Sequence, residues 1–275
     1  MIEEHQLYGG KIKLTFDPEK HLYRANGKIV NGVTTILGIL NKPLLVSWSS
    51  KECAKELGYY ERQIWSPEGY SAVPEEEQAT GLARLNAILE HLKIMTSDEY
   101  WSFLHNAKGA HMRRKSEAAN IGTLVHSFIE DYIKGNNPEL PTIPKVRNGV
   151  DAFLKWVDEN KVKFILSEQK VYSLKYKYPG TLDFTAIVND IPTLGDIKTS
   201  NFFNKEMFLQ TAAYQHARQE EHPEEKYDQH IIVRCGKDGT LEIFKTNEYK
   251  KNIKSFIACC QIYNWQKEEI YQKLK

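Results

Sequence analysis

Asp183 and Asp196 stand thirteen residues apart, each inside a short apolar segment: Gly180-Thr181-Leu182-Asp183-Phe184 and Leu194-Gly195-Asp196-Ile197-Lys198-Thr199. Carboxylates placed side by side repel, and burying each is costly unless a cation sits between them. Lys198 follows Asp196 by two residues and so shares its face on an extended chain. If 183–188 and 193–197 pair as a hairpin over Asn189-Asp190, both carboxylates point the same way. One chemistry for such a trio is an oxygen-ligand site for Mg²⁺ or Mn²⁺ with a lysine beside it. Lys198 would then orient or deprotonate a water, or stabilise charge developing on a phosphate. The other reading is a surface hairpin carrying a Lys–Asp pair, and the spacing alone leaves both open.

Three further groups bear on the choice. In Gly122-Thr123-Leu124-Val125-His126-Ser127-Phe128-Ile129-Glu130, His126 and Glu130 are four apart and share one helix face. They read either as an imidazole ligand with a companion acid or as a surface i,i+4 pair. Gln210 and Tyr214 repeat that spacing across Thr211-Ala212-Ala213. They could reach the same phosphate or water, or be a buried tyrosine with its glutamine partner. Glu168, fifteen residues before Asp183, is either a cleft acid or an exposed strand-edge glutamate.

The elements that must position these residues follow from periodicity. Residues 8–31 read as a β-meander, with strict alternation in Lys11–Phe16 and a hairpin signal at Asn26-Gly27. An apolar helix opens at Thr34-Thr35, Asn41-Lys42-Pro43 breaks it, and a second helix runs from about Leu44 to Leu57. Residues 60–80, with Trp65, Pro67 and Glu75-Glu76-Glu77, read as a loop or mobile insertion leading to a helix over 82–94. Ser97-Asp98 is expected to cap the next helix, and Asn120-Ile121-Gly122-Thr123 to interrupt it before a helix from Leu124 to Lys134. Gly135-Asn136-Asn137-Pro138 ends that helix. An amphipathic helix over 145–160 precedes strands at 164–174, 180–188 and 193–197. A helix over 205–219, strands at 228–234 and 240–245, and a closing helix from Glu248 to Leu274 complete the chain. The order predicts an α/β fold with a helical N-terminal elaboration.

With 275 residues, 41% hydrophobic and 27% charged, the chain can bury a full core. A net charge of +1 gives no global attraction for nucleic acid, so any such binding must come from local grooves. No apolar run reaches the roughly 20 residues of a membrane span, and Met1-Ile2-Glu3-Glu4-His5 does not open a secretory signal. A cytoplasmic protein without membrane partners is expected. Cys53, Cys235, Cys259 and Cys260 form no CxxC and read as reduced thiols.

Taken together, Gly122-Thr123-x-x-His126-x-x-x-Glu130, Asp183, Asp196-Ile197-Lys198-Thr199 and Gln210-x-x-x-Tyr214 resemble the PD-(D/E)xK nuclease superfamily. The closer likeness is to its RecB-like exonuclease branch, which includes phage-encoded and mitochondrial single-strand exonucleases. Gly32-Val33-Thr34-Thr35-Ile36-Leu37, with Lys42-Pro43 and Trp48, is similar to that branch's opening segment. The resemblance implies a restriction-endonuclease-like core, a central mixed sheet flanked by helices. It also implies that His126, Asp183, Asp196 and the Ile197 carbonyl ligate Mg²⁺ or Mn²⁺, that Lys198 is the catalytic lysine, that Glu130 is a companion acid, and that Gln210 and Tyr214 contact substrate. The iron–sulfur members of the branch carry a spaced cysteine triplet near the C-terminus. Adjacent Cys259-Cys260 does not supply it, and no cluster is expected.

The activity so implied is a metal-dependent DNA exonuclease preferring single-stranded ends, in replication, recombination or repair. A structure-specific endonuclease, or a non-catalytic DNA-binding recombination partner, is the alternative. Arg113-Arg114-Lys115, Thr199 and the alternating Lys175-Tyr176-Lys177-Tyr178 are candidate DNA contacts, lysines for phosphates and aromatic faces for unpaired bases. A single nuclease domain over 1–275 is expected, with the meander and a helical arch region in 1–119 and the catalytic core in 120–275.

Overall fold

A computed structural model describes residues 2–40, 42–66 and 69–268. Asn41 of the expected helix break, Pro67 of the 60–80 stretch and the expected helix end near Leu274 lie outside them. The first four strands are β1 (Glu3–Leu7), β2 (Ile12–Asp17), β3 (Leu22–Ala25) and β4 (Lys28–Val30), followed by helices α1 (Val33–Leu37) and α2 (Pro43–Glu56). Next come β5 (Gln63–Ser66), β6 (Gly69–Ala72), α3 (Glu75–Leu92), α4 (Ser97–Lys108), α5 (Ala110–Ile133) and α6 (Pro144–Glu159). The remaining elements are β7 (Lys163–Tyr172), β8 (Pro179–Val188), β9 (Ile191–Lys198), α7 (Glu206–Glu221), β10 (Gln229–Cys235), β11 (Leu241–Thr246) and α8 (Tyr249–Trp265).

The chain divides into two compact units: Met1–Leu40 with Ile121–Lys275, and Asn41–Asn120. The N-terminal meander therefore goes with the later sheet and not with the helices that follow it. In the first unit a five-stranded sheet has the order β11-β10-β9-β8-β7. It is mixed: β9 and β10 run parallel and every other pair is antiparallel. The parallel pair needs a crossover, and α7 supplies it.

Two apolar clusters cover this sheet. Val125, Phe128 and Ile129 of α5 and Val150, Phe153 and Trp156 of α6 pack with Phe184, Ala186, Ile197 and Val233. Val33 and Ile36 of α1, Ala212, Ala213 and Ala217 of α7 and Phe256 of α8 pack with Leu182 and Leu194. The first unit is thus α/β, a mixed sheet flanked by helices. The meander forms a separate four-stranded antiparallel sheet, β1-β2-β3-β4, whose core of Leu14, Phe16 and Tyr23 also takes in Tyr172 at the end of β7.

Several local expectations are met by recognisable chemistry. Asn26-Gly27 and Asn189-Asp190 turn their hairpins with all four residues at positive φ (48°, 81°, 48° and 65°), the conformation a two-residue type I′ turn demands. Others differ. The meander starts at Glu3, and 60–80 holds a β5–β6 hairpin with α3 already begun at Glu75. The cap of α4 is Thr96, in a capping box with Glu99, and not Ser97-Asp98. Helix α5 runs unbroken through Asn120–Thr123, because Gly122 is needed for close approach and not for a bend: a Cβ there would lie 3.0 Å from Thr199 Oγ1 at the end of β9. Helix α8 ends at Trp265, with Gln266 as its C-cap.

In the second unit, α3 buries none of its side chains. Glu52 is its buried acid, bonded to Lys55 at 3.1 Å and facing Arg114 at 3.5 Å. No helix of the described residues is long and apolar enough to cross a membrane.

Candidate metal and phosphate site

Strand register builds the site. Ser167 pairs with Phe184 and Gln169 with Leu182, which sets Glu168 of β7 opposite Asp183 of β8. Phe184 pairs with Gly195, so the next step of that register sets Asp183 opposite Asp196 of β9. Three acids therefore form a row across three neighbouring strands, and Ile232 of β10 closes the row beside Asp196. Around Asp183 strand β8 passes from one apolar cluster to the other, since Leu182 belongs to the α7 side and Phe184 to the α5 side. Glu168 holds φ at +49°, a left-handed conformation unusual for a non-glycine residue and costing on the order of 1 kcal/mol or more.

Helix α5 brings His126 to the row. Its Nδ1 lies 3.7 Å from Asp183 Oδ2 and 4.0 Å from Glu168 Oε1, and ligand atoms of all three lie within 4.8 Å of one another. Asp183 Oδ2 also accepts the Ile197 amide at 2.7 Å. Asp196 is fully buried, ion-paired by the Lys198 ammonium, yet neither of its oxygens receives a hydrogen bond of good geometry.

The electrostatics follow from this crowding. Burial pushes the Asp183 carboxyl up, His126 and Lys198 pull it back, and Glu168 adds to the rise. Burial likewise pushes Asp196 up to about 6, opposed by Lys198 and reinforced by Asp183. Burial alone would lower Lys198, but Asp196 and Asp183 outweigh it and the ammonium is held above its usual range. His126 follows the same pattern: burial disfavours its charged form, while Asp183 and Glu168 raise it overall. Each group's protonation is thus set by the others, which marks them as one electrostatic unit.

The remaining expected site residues fall into place less uniformly. Gln210 Nε2 donates to the Tyr214 hydroxyl at 2.7 Å, and Tyr214 is buried, its pKa raised by burial and by Asp196 and Asp183. That pair stands beside the acid row. Thr199 sits against Gly122 at the end of β9. Glu130 is tied to Lys134 one turn further along α5, outside the cluster of His126, Glu168 and Asp183. Tyr178 is a core residue and cannot offer a face to a base: it is fully buried and donates to the Ala213 carbonyl at 2.9 Å. Tyr176 is half-buried against His216, with the Lys175 ammonium 5.2 Å above its ring. Arg113, Arg114 and Lys115 belong to the second unit, where Arg113 donates to the Asn106 carbonyl and Arg114 faces Glu52, Glu56 and Glu117.

Nothing in the sequence marks Tyr23 as a neighbour of the acid row. From the N-terminal sheet its hydroxyl reaches Thr181 Oγ1 at 2.8 Å, two residues before Asp183, and burial raises its pKa to about 12 with Glu168 contributing. Only the alternation of Leu22-Tyr23-Arg24-Ala25 hinted that it points inward. The four cysteines are free thiols, Cys235, Cys259 and Cys260 buried and Cys53 half-buried.

The donor set suits a hard divalent cation. The Glu168 and Asp183 carboxylates converge with the His126 imidazole, oxygen predominates, and Asp196 stands on the next strand in register with Asp183, with no partner at its buried Oδ1. Comparison with known protein families and with curated proteins finds no match to this chain.

Proposed function

We propose that this protein is a metal-dependent deoxyribonuclease with a restriction-endonuclease-like core of the RecB-like kind, acting on DNA ends with preference for single strands. The observation that carries the reading is the in-register row Glu168–Asp183–Asp196, with the buried Asp196 partnered by Lys198 alone. Such an arrangement is electrostatically costly for a purely structural sheet, and a positively charged ligand would add to the partial compensation that Lys198 and His126 give. His126, Glu168, Asp183 and Asp196 would hold Mg²⁺ or Mn²⁺. When bound, the cation polarises a phosphodiester and lowers the pKa of a water.

The chain's own residues supply the rest. Lys198, kept protonated by Asp196 and Asp183, donates a charged hydrogen bond to phosphate oxygen instead of acting as a base. The Ile197 amide donates to Asp183 Oδ2 and fixes the carboxylate, leaving the other oxygen for a ligand. Gln210 and Tyr214, bonded to each other, wall the site from the α7 side and shed water from it.

Labelled single- and double-stranded DNA incubated with Mg²⁺, Mn²⁺ or EDTA tests the proposal. Mononucleotide release from an end in the metal lanes alone is the expected result. Cuts in closed circles would make it an endonuclease, and retained binding with no cleavage would make it a non-catalytic DNA-binding protein. Lys198→Ala should keep metal and DNA binding and lose cleavage; wild-type rates in that variant would sink the mechanism.

A further inference from the structure

The segment from Lys198 to α7 is short and held at several points. The Arg234 guanidinium, itself buried, donates from Nη1 to the Ser200 carbonyl at 3.1 Å, and the Ser200 hydroxyl donates to the Phe202 carbonyl at 3.0 Å. Phe203 lies flat on Phe244, with ring centroids 3.9 Å apart and planes 13° from parallel, and meets Phe208 edge-on at 5.6 Å. Between these anchors Phe202 turns outward and leaves 74% of its surface in water. Adjacent phenylalanines thus have opposite fates: one takes the burial its ring favours and the other forfeits it.

We propose that Phe202 is a stacking platform for an unpaired base next to the phosphodiester held at Asp183, Asp196 and Lys198. This rests on the nuclease reading and names the part of the substrate the site would recognise. Four residues of extended chain reach at most roughly 14 Å, so Phe202 stands within range of bases flanking a phosphate bound at Lys198. Every base offers a π-face, so a single exposed ring grips a strand without reading its sequence. Lys205, exposed three residues further on, supplies a cation for the neighbouring phosphate. A pinned loop suits the task because the ring is presented without first having to be ordered.

The test is equilibrium binding in EDTA of end-labelled single-stranded oligonucleotides, intact or with one abasic position walked inward from either end, to wild type, Phe202→Ala and Phe202→Trp. Phe202→Ala should weaken binding of intact DNA roughly ten-fold and Phe202→Trp should restore it. At one abasic position wild type should lose a similar factor while Phe202→Ala loses nothing more. Equal affinities of wild type and Phe202→Ala for intact DNA would overturn the proposal. So would losses from Phe202→Ala and the abasic site that multiply at every position. Binding without metal-dependent cleavage would sink the nuclease reading while the abasic comparison still judged Phe202. Normal cleavage with unaltered Phe202→Ala binding would sink Phe202 alone, and a wild type that neither binds nor cleaves DNA would sink both.

Discussion

His230 and Asp196 stand on neighbouring strands beneath the same helix, two register steps apart, and both are almost wholly removed from water. Their surroundings differ in kind. His230 Nδ1 faces the Thr211 hydroxyl at 3.0 Å and its Nε2 meets the Gln215 side-chain oxygen, so both ring nitrogens have partners on α7. Asp196 has the Lys198 ammonium alone at Oδ2 and no partner at its buried Oδ1. A polar group with its bonds complete holds elements together, whereas one left incomplete is poised for something that arrives later. The first cluster reads as structure and the second as a site, although burial alone would not tell them apart.

Substitutions separate the two most sharply at the acid row. Asp183→Asn retains an oxygen for the Ile197 amide but removes a buried charge. Nuclease activity should fall on the order of a hundred- to a thousand-fold, while the urea unfolding midpoint stays level or rises. A clear loss of stability would erase the contrast.

Acid should reveal the opposite behaviour at His230. Burial lowers its pKa to about 4 from the usual 6.5, so between those values the unfolded chain binds the proton first. Stability from this group is complete above pH 6.5 and drains away as pH falls towards 4, by about 3 kcal/mol in all. Urea unfolding at pH 7 and pH 5 should show that slope in wild type and a shallower one in His230→Leu.

Adding Mg²⁺ or Mn²⁺ at a hundred times its dissociation constant should raise unfolding free energy by about 2.7 kcal/mol. EDTA should reverse the gain and Asp183→Asn should not show it. A thermal melt that ignores both ions would remove the basis for a cation in the acid row. The smallest effect belongs to Gln215→Leu, which strips His230 of one partner. It should cost about 1 kcal/mol and leave cleavage per folded molecule unchanged.

How far the sequence foretold this arrangement depended on the range of the cause. The Asn189-Asp190 turn is local chemistry, and once it is placed, the pairing of 183 with 196 follows from counting along two strands. Helix α7 with Gln210 and Tyr214 on one face was equally readable. Gly122 reads locally as a break because a glycine's cost to a helix is visible in sequence and its distant neighbour Thr199 is not. Tyr178 looked like a surface aromatic beside Lys177, but its hydroxyl is consumed by Ala213 across the fold. Glu168 could be named as an acid near the cleft, while the left-handed backbone it holds opposite Asp183 has no sequence signal in a glutamate. The contribution of Tyr23 required knowing that the N-terminal sheet packs with β7, a contact between segments about 150 residues apart.

The pairing of Phe184 with Gly195 carries a consequence for how this protein can change over time. A Cβ on Gly195 would lie 1.8 Å from Phe184 Cζ, so the ring occupies the volume that any side chain at 195 would need. Both residues adjoin the acids they flank, and no side chain can be added at 195 alone without displacing the Phe184 ring beside Asp183. The two positions form a single heritable unit: among descendants of this sequence, a larger residue at 195 should appear only alongside a smaller one at 184.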